Sequence, residues 1–142
     1  MSNLLVLDPG GTTGFVVLRN APLLDYKSMP DVLTFGSLEE WHGIEDLLRV
    51  WDISVIVMED FKLYPWKARQ QSFSTMVAPR VIGAVEVLAA QYNISVVKQS
   101  ASVGKSVTVS VGLRKTLKLN HIIDAVSHGI FYLRTQGRVQ HG

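Results

Sequence analysis

Leu4 to Leu7 is an unbroken apolar run, and Phe15 to Leu18 is a second, with Pro9, Gly10, Gly11, Thr12, Thr13 and Gly14 between them. Such a pair reads as two strands joined by a glycine-rich turn. The stretch from Asn20 to Pro30 mixes Pro, Asn, Asp and Ser and reads as a loop, after which Val32 to Phe35 makes a third strand and completes an antiparallel meander. Ser37 followed by Glu40 has the form of a capping box, and Leu38, Trp41, Ile44, Leu48 and Trp51 recur at helical spacing, so a helix is expected there. Val55 to Met58 is apolar throughout and follows that helix, which predicts a strand in the sheet interior, beside the first. A further helix starts near Ser74 or Pro79 and runs to Tyr92. Met76, Val77, Val81, Ile82, Val85, Val87, Leu88 and Ala89 make it apolar almost all round, so it needs cover on more than one side, if necessary from a second subunit. Ile94 to Val97 is a fifth strand, Val103 to Leu117 is helix or loop, Asn120 to Leu133 is a final helix, and residues 137–142 form a frayed tail. The expected fold is α/β, a single domain over residues 1–136.

At 142 residues the chain suffices for one compact core that buries roughly two-thirds of the unfolded surface without cross-links. It has no cysteine, so any metal must be held by oxygen or imidazole, and a reducing compartment suits it. No apolar stretch approaches the roughly 20 residues that span a bilayer, and no membrane association is expected. The net charge of +2 is too small to mark a nucleic-acid binder. Its distribution says more: Lys98, Lys105, Arg114, Lys115 and Lys118 follow one another with no acid between them, a local basic segment that suits a polyanion or a solvated face.

The acids carry the chemistry. Asp8 ends the first apolar run and Glu59 ends the run Val55 to Met58, and a carboxylate in apolar surroundings is costly to desolvate unless a cation or a proton compensates it. Asp8 also fits a simple Asp-Pro-Gly turn. Alternation along the strand leaves open whether Glu59 or Asp60 faces Asp8. On the last helix His121, Asp124 and His128 share a face, with Ile122, Ile123, Val126, Ile130 and Leu133 opposite, so the stripe is expected to turn away from the core. It is either a solvated stripe or a set of metal ligands. The turn from Gly10 to Gly14 admits a phosphate-cradling reading, but a nucleotide-binding ATPase of that kind needs a second copy of the domain. Gly104-Lys105-Ser106 lacks the first glycine of a phosphate-loop motif. Phe61, Tyr64 and Trp66 alternate with Lys62, Lys67 and Arg69 directly after Glu59, a composition that stacks on bases or else covers a sheet edge.

Taken together, LLVLDPGGTTGFVVL, VIVMEDF, the VVKQ segment and HIIDAVSHG resemble the RuvC-type Holliday junction resolvases of the RNase H-like superfamily, and most of all its compact phage-type members. The resemblance spans nearly the whole chain. It implies an RNase H-like five-stranded mixed sheet flanked by helices, in a cytoplasmic protein of a bacterial or phage-infected cell. It further implies an endonuclease that uses two Mg²⁺ or Mn²⁺ ions per site and cuts four-way DNA junctions by paired symmetric nicks, as a homodimer formed through the helix that ends at Tyr92. Asp8, Glu59, His121 and Asp124 match the family's catalytic metal-binding positions, His121 standing where many members have a carboxylate. Lys98 and Lys105 match its DNA-contacting lysines, with Phe61, Tyr64, Lys67 and Arg69 as further DNA contacts. The alternatives are a related nuclease for flaps or other branched DNA, and a binding module that keeps the scaffold without the chemistry. The presence of all three acids speaks against the latter.

Overall fold

The computed structural model describes residues 2–61 and 77–141, with side chains through 136. Tyr64, Trp66, Lys67 and Arg69 therefore lie outside the described residues. The elements are β1 (Asn3–Asp8), β2 (Thr12–Arg19), β3 (Val32–Glu39), α1 (Ile44–Val50), β4 (Ile53–Glu59), α2 (Val77–Gln91), β5 (Ser95–Gln99), α3 (Ala101–Lys105), α4 (Val111–Leu117) and α5 (Asn120–His141). The strands form one sheet in the order β3-β2-β1-β4-β5. β1, β2 and β3 are the antiparallel meander, while β4 joins β1 in parallel and β5 joins β4 in parallel. This is the expected five-stranded mixed sheet, with the Val55–Met58 strand beside the first.

Alternate residues of the central strands feed two cores. Leu5, Leu7, Ile56 and Met58 pack with α1 and α2 on one face of the sheet. Leu4, Val6, Val57 and the apolar face of α5 pack on the other. The strands are buried on both sides, and their runs are apolar without alternation for that reason. α5 lies close on the sheet at Gly129, where a Cβ would lie 2.6 Å from Leu18 Cδ1 and 2.9 Å from Val6 Cγ2. Pro79 falls in the first turn of α2, where its missing N–H has no intrahelical partner to lose.

Two expectations need correction. Ser37 and Glu40 do not cap a helix: pairing of Thr12 with Glu39, Thr13 with Leu38 and Gly14 with Ser37 draws these residues into β3. The chain then turns through Glu40 (φ 50°) and Gly43 (φ 93°), and α1 begins only at Ile44. The stripe on α5 does not turn wholly to solvent either. Asp124 is exposed and His121 half-buried, but His128 is 1% exposed because α3 packs over it. The uncertain region 103–117 resolves into α3 and α4, the latter capped by the Ser110 hydroxyl, which accepts the Leu113 N–H at 3.2 Å. α5 remains helical through His141, past the expected tail boundary at 137. No helix among the described residues is long and apolar enough to cross a membrane.

Candidate active site

Strand alternation places the first two acids. Asp8 follows Val6 and Glu59 follows Val57 on the face covered by α5, and the register Leu7 to Met58 sets them side by side at the C-terminal edge of adjacent parallel strands. Glu59, not Asp60, is thus the partner of Asp8 on this face. Asp60 accepts the Phe61 N–H at 3.0 Å through its own carboxylate, and its N–H donates to the Gln99 carbonyl at 2.7 Å. From above, the first turns of α5 bring Asp124 within electrostatic reach of Asp8.

The charges confirm how tightly the acids are gathered. The Asp8 carboxyl is raised from 3.8 to about 7, first by burial, then by Glu59, whose charge repels and whose oxygen takes the Asp8 proton, and then by Asp124. Glu59 moves the other way. His128 beside it holds its carboxyl below the ordinary 4.5 against the effect of burial, with help from the Asp8 proton and from Lys105. Among the described residues no three of these groups stand around one point as they would around a cation. The chemistry of the set nevertheless fits a hard divalent ion. It offers carboxylate oxygens from three elements, and their mutual repulsion is what such an ion removes.

The two imidazoles are fixed differently. His121 lies directly on β2, where a Gly14 Cβ would stand 2.5 Å from the His121 carbonyl oxygen and 2.7 Å from its Cδ2, so only glycine fits. Its Nε2 is 2.6 Å from the Ser37 hydroxyl on β3, which leaves Nδ1 as the ring nitrogen available to a ligand. His128 is beneath α3, with Nδ1 2.8 Å from Gln99 Oε1 and Nε2 3.7 Å from Glu59 Oε2.

A cavity of about 300 Å³ opens beside the acids, lined among others by Glu59, Asp124, His128, Lys105, Arg114 and Asn120. Carboxylates and cations thus line one cavity, a mixture that suits a phosphodiester approached by a metal. A smaller cavity of about 140 Å³, between Asp8, Glu59, Asp60 and Phe61, adjoins the acids on their other side. The structure thus sets Asp8 beside Glu59 with Asp124 within electrostatic reach, places Lys105 and Phe61 in the linings of the two cavities, and sets His121 against β2 and β3. Lys98 is elsewhere: it shares the α2 face with Val96 and pairs with Glu86 at 3.2 Å. The Thr13 hydroxyl, offered by the sequence for phosphate, closes the turn on Gly10 at 3.1 Å.

Sequence reasoning missed Ser37 and Gln99 as neighbours of the site, while Arg114 was read only as part of the basic segment. Ser37 was taken by the capping-box pattern. Gln99 sits beside Glu59 in register, a signal that needs the strand pairing to be seen.

No protein-family model matches the chain, and no curated protein matches it in sequence. Solved structures match its fold. Thermus thermophilus RuvC in complex with a Holliday junction substrate superposes with a TM-score of 0.68 at 14% identity, covering 100% of this chain and 97% of that one. A second Thermus thermophilus RuvC structure gives 0.64 at 16% identity, with 95% and 97% covered. The yeast mitochondrial Holliday junction resolvase Ydc2 gives 0.62 at 11% identity, with 99% and 81% covered. The resemblance read from the sequence is borne out at the level of the fold, which is that of the RuvC-type resolvases.

Proposed function

We propose that this chain is a divalent-metal-dependent endonuclease that resolves four-way DNA junctions, acting as a homodimer. The observation that supports this most is the placement of Asp8 beside Glu59 on one face of a RuvC-like sheet with Asp124 within electrostatic reach, the Asp8 carboxyl being raised to about 7 by burial and then by the other two acids. Asp8 and Glu59 would hold Mg²⁺ or Mn²⁺ with Asp124, and His121 would add its Nδ1. Such ions, two per site in this reading, activate water and stabilise charge on the phosphate being cut. The protein's own groups do the rest. Lys105 and Arg114 line the larger cavity together with Glu59 and Asp124 and would seat backbone phosphates, while Phe61 stands beside the smaller one where a base or sugar would pass. Lys98, Tyr64, Lys67 and Arg69 would extend the DNA contact. The dimer reading rests on the resemblance, since α2 buries Val77, Val81, Ile82, Val85, Leu88 and Ala89 within this chain and leaves only Val87 among its large apolar residues exposed. Two centres related by a two-fold axis would then nick opposite strands symmetrically, and a cytoplasmic location would follow from the substrate.

The test is a panel of end-labelled substrates in Mg²⁺ or Mn²⁺: a four-way junction, a flap and a linear duplex. The proposal expects cutting of the junction at concentrations that leave duplex intact. Preferential cutting of flaps would keep the site and discard junction resolution, while tight junction binding with no cutting in either metal would make the chain a binding module.

A further inference from the structure

We propose that Ser37 is a positioning residue for His121: its hydroxyl sets the rotation of the imidazole so that Nδ1, and not a ring carbon, is the edge left for a cation. The inference rests on the nuclease reading above and deepens it, since Ser37 is neither one of the acids nor a position that the resemblance implies.

Strand pairing draws one row across the sheet at the edge where the acids sit. Ser37 on β3 is the register partner of Gly14 on β2, and Gly14 is the partner of Asp8 on β1. Directly opposed residues of neighbouring strands project to one face, so Ser37 and the empty position at Gly14 lie on the α5 side with Asp8. α5 begins over this row. Because Gly14 carries no side chain, His121 rests directly on β2, its Cδ2 2.7 Å from where a Gly14 Cβ would stand. Nothing then separates β3 from the helix, and Ser37 Oγ reaches His121 Nε2 at 2.6 Å.

That contact decides which way the ring is turned. Half a turn about Cβ–Cγ keeps the outline of an imidazole while exchanging Nδ1 with Cδ2 and Nε2 with Cε1, so packing alone selects poorly between the two. The hydroxyl does select, because only the observed rotation puts a nitrogen against Ser37 and the other puts a C–H there. In the ring, the side opposite Nε2 is the Cγ–Nδ1 bond. A ring anchored on β3 through Nε2 therefore turns Nδ1 away from Ser37, and the next side chain along the row is that of Asp8. A serine hydroxyl both donates and accepts. It accepts the Nε2 hydrogen of a neutral imidazole whose Nδ1 is a ligand, and the arrangement needs no change of charge. Outer partners of this kind typically change metal affinity by ~10–100-fold when removed.

Ser37→Ala removes the hydroxyl, and Ser37→Thr keeps it on a residue that suits a strand. Calorimetric titration with MnCl₂ reads cation affinity, with circular dichroism to establish the fold. Pulsed electron paramagnetic resonance of the bound Mn²⁺ reads whether an imidazole nitrogen ligates it, and His121→Ala assigns that nitrogen. The expected result is Mn²⁺ affinity weakened ~10-fold in Ser37→Ala with the nitrogen coupling reduced, and both restored in Ser37→Thr. Unchanged affinity and coupling in a folded Ser37→Ala would overturn the proposal, as would a wild type that binds Mn²⁺ without nitrogen coupling, and in both cases wild-type cleavage would keep the nuclease reading. A wild type whose coupling depends on Ser37 but that cuts no DNA would remove the nuclease reading and leave the Ser37 assignment. A wild type that binds no Mn²⁺ would remove both.

Discussion

Replacing Asp8 by asparagine should make the metal-free protein more stable at pH 8 and leave its stability nearly unchanged at pH 4. The Asp8 carboxyl titrates near 3.8 in the unfolded chain and at about 7 in the fold. The folded state therefore holds the extra proton between those values, and by linkage stability falls as the pH rises from about 4 to about 7, the loss being complete above the folded value. Full ionisation across that interval corresponds to at most ~4 kcal/mol at 1.36 kcal/mol per tenfold, and screening by solvent at a partly open site reduces it to ~2 kcal/mol. For a domain of this length that is a melting-point difference of ~8 °C. Asparagine has nearly the same shape, carries no charge and donates to Glu59 as the protonated acid does, so the variant should lose the downward slope. Glu59 does not obscure the result. Its carboxyl is lowered, so its contribution is full above 4.5 and starts to be lost only at the acid end of the range, leaving the slope from pH 5 to pH 8 to Asp8. The assay is urea unfolding of both proteins in EDTA from pH 4 to pH 8. A difference between the two proteins that is flat from pH 5 to pH 8 would refute the reasoning that Asp8 is held protonated by its neighbours.

Four further outcomes follow from the packing and the charges. Gly14→Ala should destabilise by ~3 kcal/mol in urea unfolding, because the new Cβ meets the His121 backbone, which cannot rotate aside. Gly129→Ala should cost ~2 kcal/mol despite the better helix propensity of alanine, since Leu18 and Val6 occupy the space; a gain in stability would contradict the close approach of α5 to the sheet. Lys105→Ala should leave the melting temperature within a degree or two and weaken junction binding, with the slope of log affinity against log salt reduced by about one. Lys98→Ala should change stability by less than ~1 kcal/mol, since its pairing with Glu86 is exposed to solvent, so any loss of DNA affinity in that variant reports on contact and not on folding.

Much of this molecule is legible in the chain because its central strands are buried on both faces. Leu4 to Leu7 and Val55 to Met58 carry no polar residue to confuse the reading, and the acid that ends each run marks the edge of the sheet. What the sequence hides are choices made by partners distant along the chain. Ser37 and Glu40 satisfy a capping pattern, yet pairing with β2 outweighs the helical preference of so short a segment. His128 sits on the polar stripe of α5 by spacing alone, and only the packing of α3 at Gly104 buries it. Glu59 could be separated from Asp60 only once β4 was set against β1, because the alternation of an all-apolar strand has no visible phase.

The most direct test of the central claim is cleavage of a four-way junction labelled on each strand in turn, by wild type, Asp8→Asn and Asp124→Asn, in Mg²⁺ and in Mn²⁺, with junction binding measured beside it. Wild type is predicted to give paired nicks at symmetric positions, and both variants to bind the junction and cut it at least ~100-fold more slowly, the scale at which loss of a charge-stabilising group acts. Cutting by either variant at the wild-type rate would contradict the assignment of these carboxylates to the reaction.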